Sequence, residues 1–490
     1  MNFGIVDWTV LIVFMLGTTF IGHKLRGKSN GLDDFFLGGR GLPWWAVSCS
    51  IIASQISAVT IIALPGAVFR DGGNLLFLQG TLIGFIVAKF LMALLFIKPF
   101  YEKKIYSPYD FIEDRLGAKA SSLARGLFVI SAIIGHGIRL LTVALVLSVV
   151  VDIPIGQSVL IIGVFAVGWT LMGGVATVIW TDFVLFIIIS GGALISTAYL
   201  FSSLDMSLME AVRDLDAAAK LKLIDISLDP VKTWTIWTSL ICFTIFELAQ
   251  NSVDQVITQR MMCCRTYQEA RKAVLGSIGG GIIGLLMVAV SLGIWLFYQD
   301  NPLSVQDAAF VSEQPSRIYP FFIVNELPTG LSGLMIAAIF AAGISTLDSA
   351  LAALSETTVN GFYRKWVNPD AGDKECLRAS RYSVVAWGVL LSVLAYVAGK
   401  VVQNEGLLNL AYKAPILTYG PMLMIALFAL ARFGSYVGML GGVLVSVVVA
   451  VLLLLGSSTG LILMDQFWIY PITCVVFLVT AYSVTKLKVA

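Results

Sequence analysis

The chain has 490 residues, 58% of them hydrophobic and 13% charged, with a mean hydropathy of +0.90 and a formal net charge of +2. Soluble domains carry about a quarter charged residues, so water is not the main solvent here. The near-neutral balance, and Lys and Arg that do not gather into a stripe interleaved with aromatics, exclude nucleic acid as a partner.

Apolar runs that can cross about 30 Å of hydrocarbon, each about 20 residues long, recur from one end of the chain to the other. Read against Gly, Pro and charge, they predict spans at 5–23, 44–69, 74–98, 120–150, 154–173, 178–201 and 233–256. Further spans are predicted at 272–298, 330–359, 381–400, 406–431, 434–456 and 466–485, thirteen in all. Residues 1–490 then form a single all-α integral membrane domain. No basic stretch and small-residue cleavage site flank the first run, which reads as a retained span. The six cysteines form no CxxC pair, so neither a disulfide framework nor a zinc site is expected.

Loop cations fix the orientation. With the N-terminus outside, 22 Lys and Arg, among them Arg26, Lys28, Lys104, Arg125, Arg260 and Lys488, fall on one side and 7 on the other. Lys89, Arg139 and Lys413 are left inside spans. The predicted location is the cell (inner) membrane, multi-pass, with a cytoplasmic C-terminus and surrounding lipid as a partner.

Polar residues inside spans need a partner or a purpose. In CSIIASQISAVTIIALPGAVF, Ser54, Gln55, Ser57 and Thr60 crowd the centre and Pro65 and Gly66 follow, which predicts an interrupted helix. Freed carbonyls there would hold a cation or solute, or the small residues would serve helix packing. In IAAIFAAGISTLDSALAALSETTVN, Ser345, Asp348 and Ser349 share a helix face, an oxygen set suited to Na⁺. Asp348 would alternatively pair with Lys413 or Arg139. Asp182 reads as a helix-start residue near the interface. Asn251, Asp254 and Gln255 either line an inner vestibule or mark a boundary. Arg139 either neutralises an internal carboxylate or receives an anionic solute group. His23 and His136 are too few and too distant for a transition-metal site, and His136 reads as a satisfied core residue.

The segments DDFFLGGRGLPWW, MGGVATVIWTD, DQVITQR with EAR, IFAAGISTLDSAL and TYGPMLM, in that order, resemble the solute:sodium symporter family over nearly the whole chain. The resemblance implies a LeuT-type fold of two inverted five-helix repeats, 44–201 and 233–431, with an extra helix at 5–23 and two C-terminal helices in 434–490. It implies a sodium site of Ala53, Ile56 and Ala342 carbonyls with Ser345 and Thr346 hydroxyls. A second ion site would join Asp182, Ser345, Asp348 and Ser349, with Asp348 standing where a Ser or Thr is usual. Solute-facing positions by the same analogy are Gln55, Ser57, Thr60, Arg139, Asn251, Asp254 and Gln255.

The expected function is secondary active transport, in which inward sodium flow drives uptake of a small organic solute (a sugar, an acidic sugar such as sialic acid, or a carboxylate) by alternating access. Gly420 and Pro421 would be a flex point. Na⁺ is the coupling ion, with no organic cofactor, and a monomer suffices, although an oligomer is compatible. The alternatives are proton coupling through Asp348 and a passive channel. A membrane enzyme would need a nucleophile with a base, or a His and acid cluster, and the sequence offers neither.

Overall fold

The computed structural model describes residues 3–24, 32–103, 105–151, 153–172, 175–401, 410 and 412–487, with the backbone only for 21–24, 32, 33, 172 and 401. Arg26, Lys28, Lys104, Lys488, Gly173, Gly174 and the opening of the span expected at 406–431 lie outside the described residues.

Among the described residues the fold is helical, and the only β-type pairing is an isolated parallel bridge between Leu42 and Cys264. The helices that matter for the site are α1 (Ile5–Lys24), α2 (Trp44–Gln55), α3 (Ala58–Phe69), α4 (Phe77–Leu95), α5 (Ala118–Val151), α6 (Ile155–Met172) and α7 (Val175–Ser203). They continue with α8 (Thr244–Ser252), α9 (Gln255–Met261), α10 (Tyr267–Asp300), α11 (Leu331–Thr358), α12 (Asp373–Val401), α13 (Tyr419–Ala431), α14 (Tyr436–Ser458) and α15 (Ile469–Leu487). Eight described helices are long and apolar enough to cross a bilayer, nine if α2 and α3 count as one broken span. Ile5–Phe20, Ile155–Leu171 and Tyr419–Ala431 are shorter apolar helices. The chain is a multi-pass membrane protein.

Two of the expected spans are interrupted rather than continuous. α2 and α3 meet at 51°, because Ile56 (φ −82°, ψ 80°) and Ser57 (φ −81°, ψ 169°) leave helical geometry. The span expected at 233–256 is broken after Ser252: Asp254 turns extended and its carboxylate accepts the Val256 amide at 2.8 Å, capping α9.

α11 is the axis of the bundle. Its most apolar window is 94% buried, against 28% for that of α12 and 33% for that of α14, which leaves the latter two to face lipid. It packs against α1, α5, α6, α7 and α12, and against α2 near the first break. Its start is fixed by Asp7 of α1, whose Oδ1 accepts the Gly330 and Gly333 amides at 2.7 and 2.9 Å. Those amides belong to the helix N-terminus, where a carboxylate is favoured. A Cβ on Gly333 would come within 2.5 Å of the Asp7 carbonyl, so glycine is what lets the two helices touch.

The connection between α7 and α8 folds back onto the bundle. Lys220 donates to the Val68 and Arg70 carbonyls at 2.7 and 2.9 Å, closing the end of α3. Farther along, hydrogen bonds from Lys232 and Ser227 hold the Asp225 carboxyl well below its ordinary range.

Candidate functional site

The break between α2 and α3 strips the Ile56 carbonyl of the amide four residues on, since Thr60 turns back to Ser57 at 2.9 Å instead, and the Ala53 carbonyl receives no backbone hydrogen bond from the extended Ser57. Ala53 and Ile56 are buried where α2 packs on α11. On that helix the Thr346 hydroxyl donates to the Ala342 carbonyl at 2.9 Å, and the Ser345 hydroxyl donates to Asp182. All five residues expected to hold sodium are thus buried, contributed by two elements in direct contact. The carbonyls freed at the break, with the Ala342 carbonyl and the hydroxyls of α11, are hard oxygen ligands suited to a monovalent cation.

The second constellation is built differently from its sequence reading. Asp182 is 0% exposed, well inside α7, and not at a helix start near the interface. It accepts hydrogen bonds from Ser50 at 2.5 Å and from Ser345, and pairs with Arg260 at 3.1 Å. Arg260, counted from the sequence among the loop cations, is buried; it reaches the Ser50 hydroxyl at 2.9 Å, the Val256 carbonyl at 2.7 Å and the Ser349 hydroxyl. A guanidinium therefore stands between Asp182 and Ser349. Asp348 pairs with neither Lys413 nor Arg139 through any salt bridge among the described residues; Thr170 of α6 donates to it at 2.9 Å.

Beside the break lies a cavity of about 170 Å³, lined by Gln55, Ser57, Thr60 and Arg139 together with Phe77, Thr81, Phe85, Phe246, Glu247, Gln250 and Tyr412. Arg139 contacts His136 Nδ1 at 3.4 Å and has no carboxylate within salt-bridge distance among the described residues. Of the other expected solute contacts, Asn251 is reached through Gln55, whose amide donates to it at 3.3 Å. Asp254 and Gln255 lie apart from the cavity lining: Tyr419 donates to Asp254 at 2.8 Å, and Gln255 donates to the Tyr106 carbonyl at 3.2 Å and Glu356 at 3.1 Å.

Sequence reading missed Glu247, a carboxylate inside the apolar run TIFELA, and left Lys89 without a partner. Each was visible as an ionisable residue in a span; Lys89 donates to Gln55 on a separate helix, a contact that spacing does not reveal, whereas Glu247 accepts from Asn251 one turn on in α8.

The family model for the sodium:solute symporter family matches residues 35–445. The sodium/sialic acid symporter of Proteus mirabilis is 26% identical over 471 residues, covering 94% of this chain and 90% of that protein. The human sodium-coupled monocarboxylate transporter 2 is 27% identical over 467 residues, covering 93% and 73%. Among solved structures, the substrate-bound outward-open state of a Na⁺-coupled sialic acid symporter superposes with a TM-score of 0.84 at 22% identity, covering 99% of this chain and 98% of that one. A nucleobase-cation-symport-1 family transporter in a closed conformation shares the fold, with a TM-score of 0.58 at 14% identity over 94% and 95% of the two chains. By the reach of the family model, this chain belongs to the sodium:solute symporter family and is a sodium-coupled transporter rather than an enzyme.

Proposed function

We propose that the chain carries Na⁺ and a small organic acid together into the cell by alternating access, with Na⁺ held by the Ala53, Ile56 and Ala342 carbonyls and the Ser345 and Thr346 hydroxyls. The observation that carries this reading is the packing of the first break on α11 beside a cavity lined by Arg139, whose guanidinium has no carboxylate within salt-bridge distance among the described residues. An apolar bundle tolerates such a cation when an anion arrives to meet it. Two relatives point the same way, one a sialic acid symporter and one a monocarboxylate transporter.

Bound Na⁺ organises Ser54 to Thr60, so the solute meets a formed wall, and by linkage the solute raises Na⁺ affinity by the same factor. The repeats at 44–201 and 233–431 rock about that point, with the helices of 434–490 outside them. The protein lies in the inner membrane with its C-terminus in the cytoplasm, a monomer being sufficient. The test is uptake into proteoliposomes: Ser345→Ala with Thr346→Ala removes stimulation by a Na⁺ gradient, and retained stimulation refutes the site.

A second coupled cation at Asp348 is favoured by one observation. Arg260 already neutralises Asp182, whereas Asp348 has only the Thr170 hydroxyl at hydrogen-bond distance among the described residues. Electrogenicity discriminates the two stoichiometries. One Na⁺ with a monoanion moves no net charge, whereas an added cation couples to the membrane potential at about 2.3 kcal/mol per 100 mV. Wild-type currents that vanish in Asp348→Asn support a second cation, Na⁺ or proton, and electroneutral wild-type transport rejects it.

A further inference from the structure

Behind the cavity wall runs a charge system, reaching the lining at Gln55 and Glu247, that the sodium site and Arg139 leave unexplained. Lys89 of α4 is 0% exposed, and its ammonium donates to Gln55 Oε1 at 2.9 Å. Gln55 Nε2 donates in turn to Asn251 Oδ1 at 3.3 Å, and Asn251 Nδ2 to Glu247 Oε2 at 3.3 Å. The same Asn251 amide also donates to the Glu247 main-chain carbonyl at 2.7 Å. The direction of this chain is forced: an ammonium only donates, so each amide must turn its oxygen toward Lys89 and its nitrogen toward Glu247. The relay ends on a carboxylate that only accepts. Its Oε1 has no hydrogen-bond partner among the described residues, and Glu247 lines the cavity.

Charge decides what meets it. Lys89 is held at the head of the relay, away from the cavity lining, which leaves Arg139, with no carboxylate within salt-bridge distance among the described residues, as the cation that a solute acid meets. A second acidic group on the solute would face Glu247 and be repelled, whereas a donor there completes the acceptor. We propose that the cavity selects acids that also carry a hydrogen-bond donor, a hydroxyl or an ammonium, and that Glu247 is the specificity-determining residue that reads it. The proposal rests on the acid reading above.

The test measures binding to the full chain in detergent with saturating Na⁺, using three sets of short carboxylic acids matched in length: unsubstituted, hydroxylated and aminated. The donor-bearing set that fits binds about ten- to a hundredfold tighter than the unsubstituted one, the range of a hydrogen bond to a charged group. A preference confined to amino acids identifies an ammonium, and one confined to hydroxy acids a hydroxyl. Glu247→Gln abolishes an ammonium preference and weakens a hydroxyl preference, so the affinity ratio between donor-bearing and unsubstituted acids falls toward one. Because Glu247→Gln strands the buried Lys89, a second variant, Lys89→Met with Glu247→Gln, removes both charges and loses the preference in the same way. Equal binding of all three sets to the wild type, or an equal loss across all sets in either variant, overturns the inference but leaves the acid reading standing. Tight binding of neutral solutes with none of the acids overturns the acid reading itself.

Discussion

Asp182→Ala provides the most exacting test of how the bundle interior is held together. The substitution removes the partner of Arg260 at 3.1 Å and the acceptor for Ser50 and Ser345, in surroundings where Asp182 is fully buried and Arg260 nearly so. Breaking a buried pair on one side leaves an uncompensated charge and costs about 3–5 kcal/mol. The two orphaned hydroxyls add less than the usual 1–3 kcal/mol, roughly, because the Ser50 oxygen still accepts from Arg260 and Ser345 has helical carbonyls nearby. The total expected loss is therefore about 4–6 kcal/mol. Arg260→Met alone strands Asp182 and its loss is of the same order, about 3–5 kcal/mol. The double variant Asp182→Ala with Arg260→Met removes both charges, so its loss falls well below the sum, with a coupling of about 3 kcal/mol or more. The assay is thermal unfolding of the four proteins in detergent at fixed Na⁺. Additive losses refute the pairing, and a stabilisation by Na⁺ that disappears only with Asp182 would instead mark it as an ion ligand.

Three more outcomes follow from close contacts and caps. Gly343→Ala places a Cβ 2.1 Å from Val143 Cγ2 between α11 and α5; it destabilises by about 1–3 kcal/mol, and Val143→Ala in the same chain restores most of that. Asp7→Ala removes the acceptor for two amides at the start of α11 and costs about 1–2 kcal/mol in the same unfolding assay, while a loss within 0.3 kcal/mol, roughly the error of additivity, refutes the cap. Arg139→Lys, which keeps the charge but loses the fork, weakens binding of acids more than of neutral analogues; equal losses return Arg139 to a structural role.

Hydropathy placed helix within each expected window that the structure describes, because insertion into hydrocarbon is governed by composition over about 20 residues and is a local property. The first break was legible too: Ser54, Gln55 and Ser57 ahead of Pro65 weaken a helix in ways that spacing alone reveals. The partners were not. Arg260 stands beside loop charge in sequence, yet α9 turns it inward to Asp182, seventy-eight positions earlier. The role of Asp7 as a cap for α11 depends on a contact across more than three hundred residues, which no local pattern announces. Asp254 and Gln255 were grouped with Asn251 by adjacency; the second break separates them, sending Asn251 to Gln55 and the other two to Tyr419 and Glu356.

The turn at Ala53 to Thr60 supplies carbonyl oxygens on one side and Gln55, Ser57 and Thr60 to the cavity on the other. Cargo and driving ion would share a single strip of main chain, so a shift of one peptide plane is felt by both. Energy exchange between them then needs no relay through distant helices, and a substitution within those eight residues disturbs the two affinities in concert.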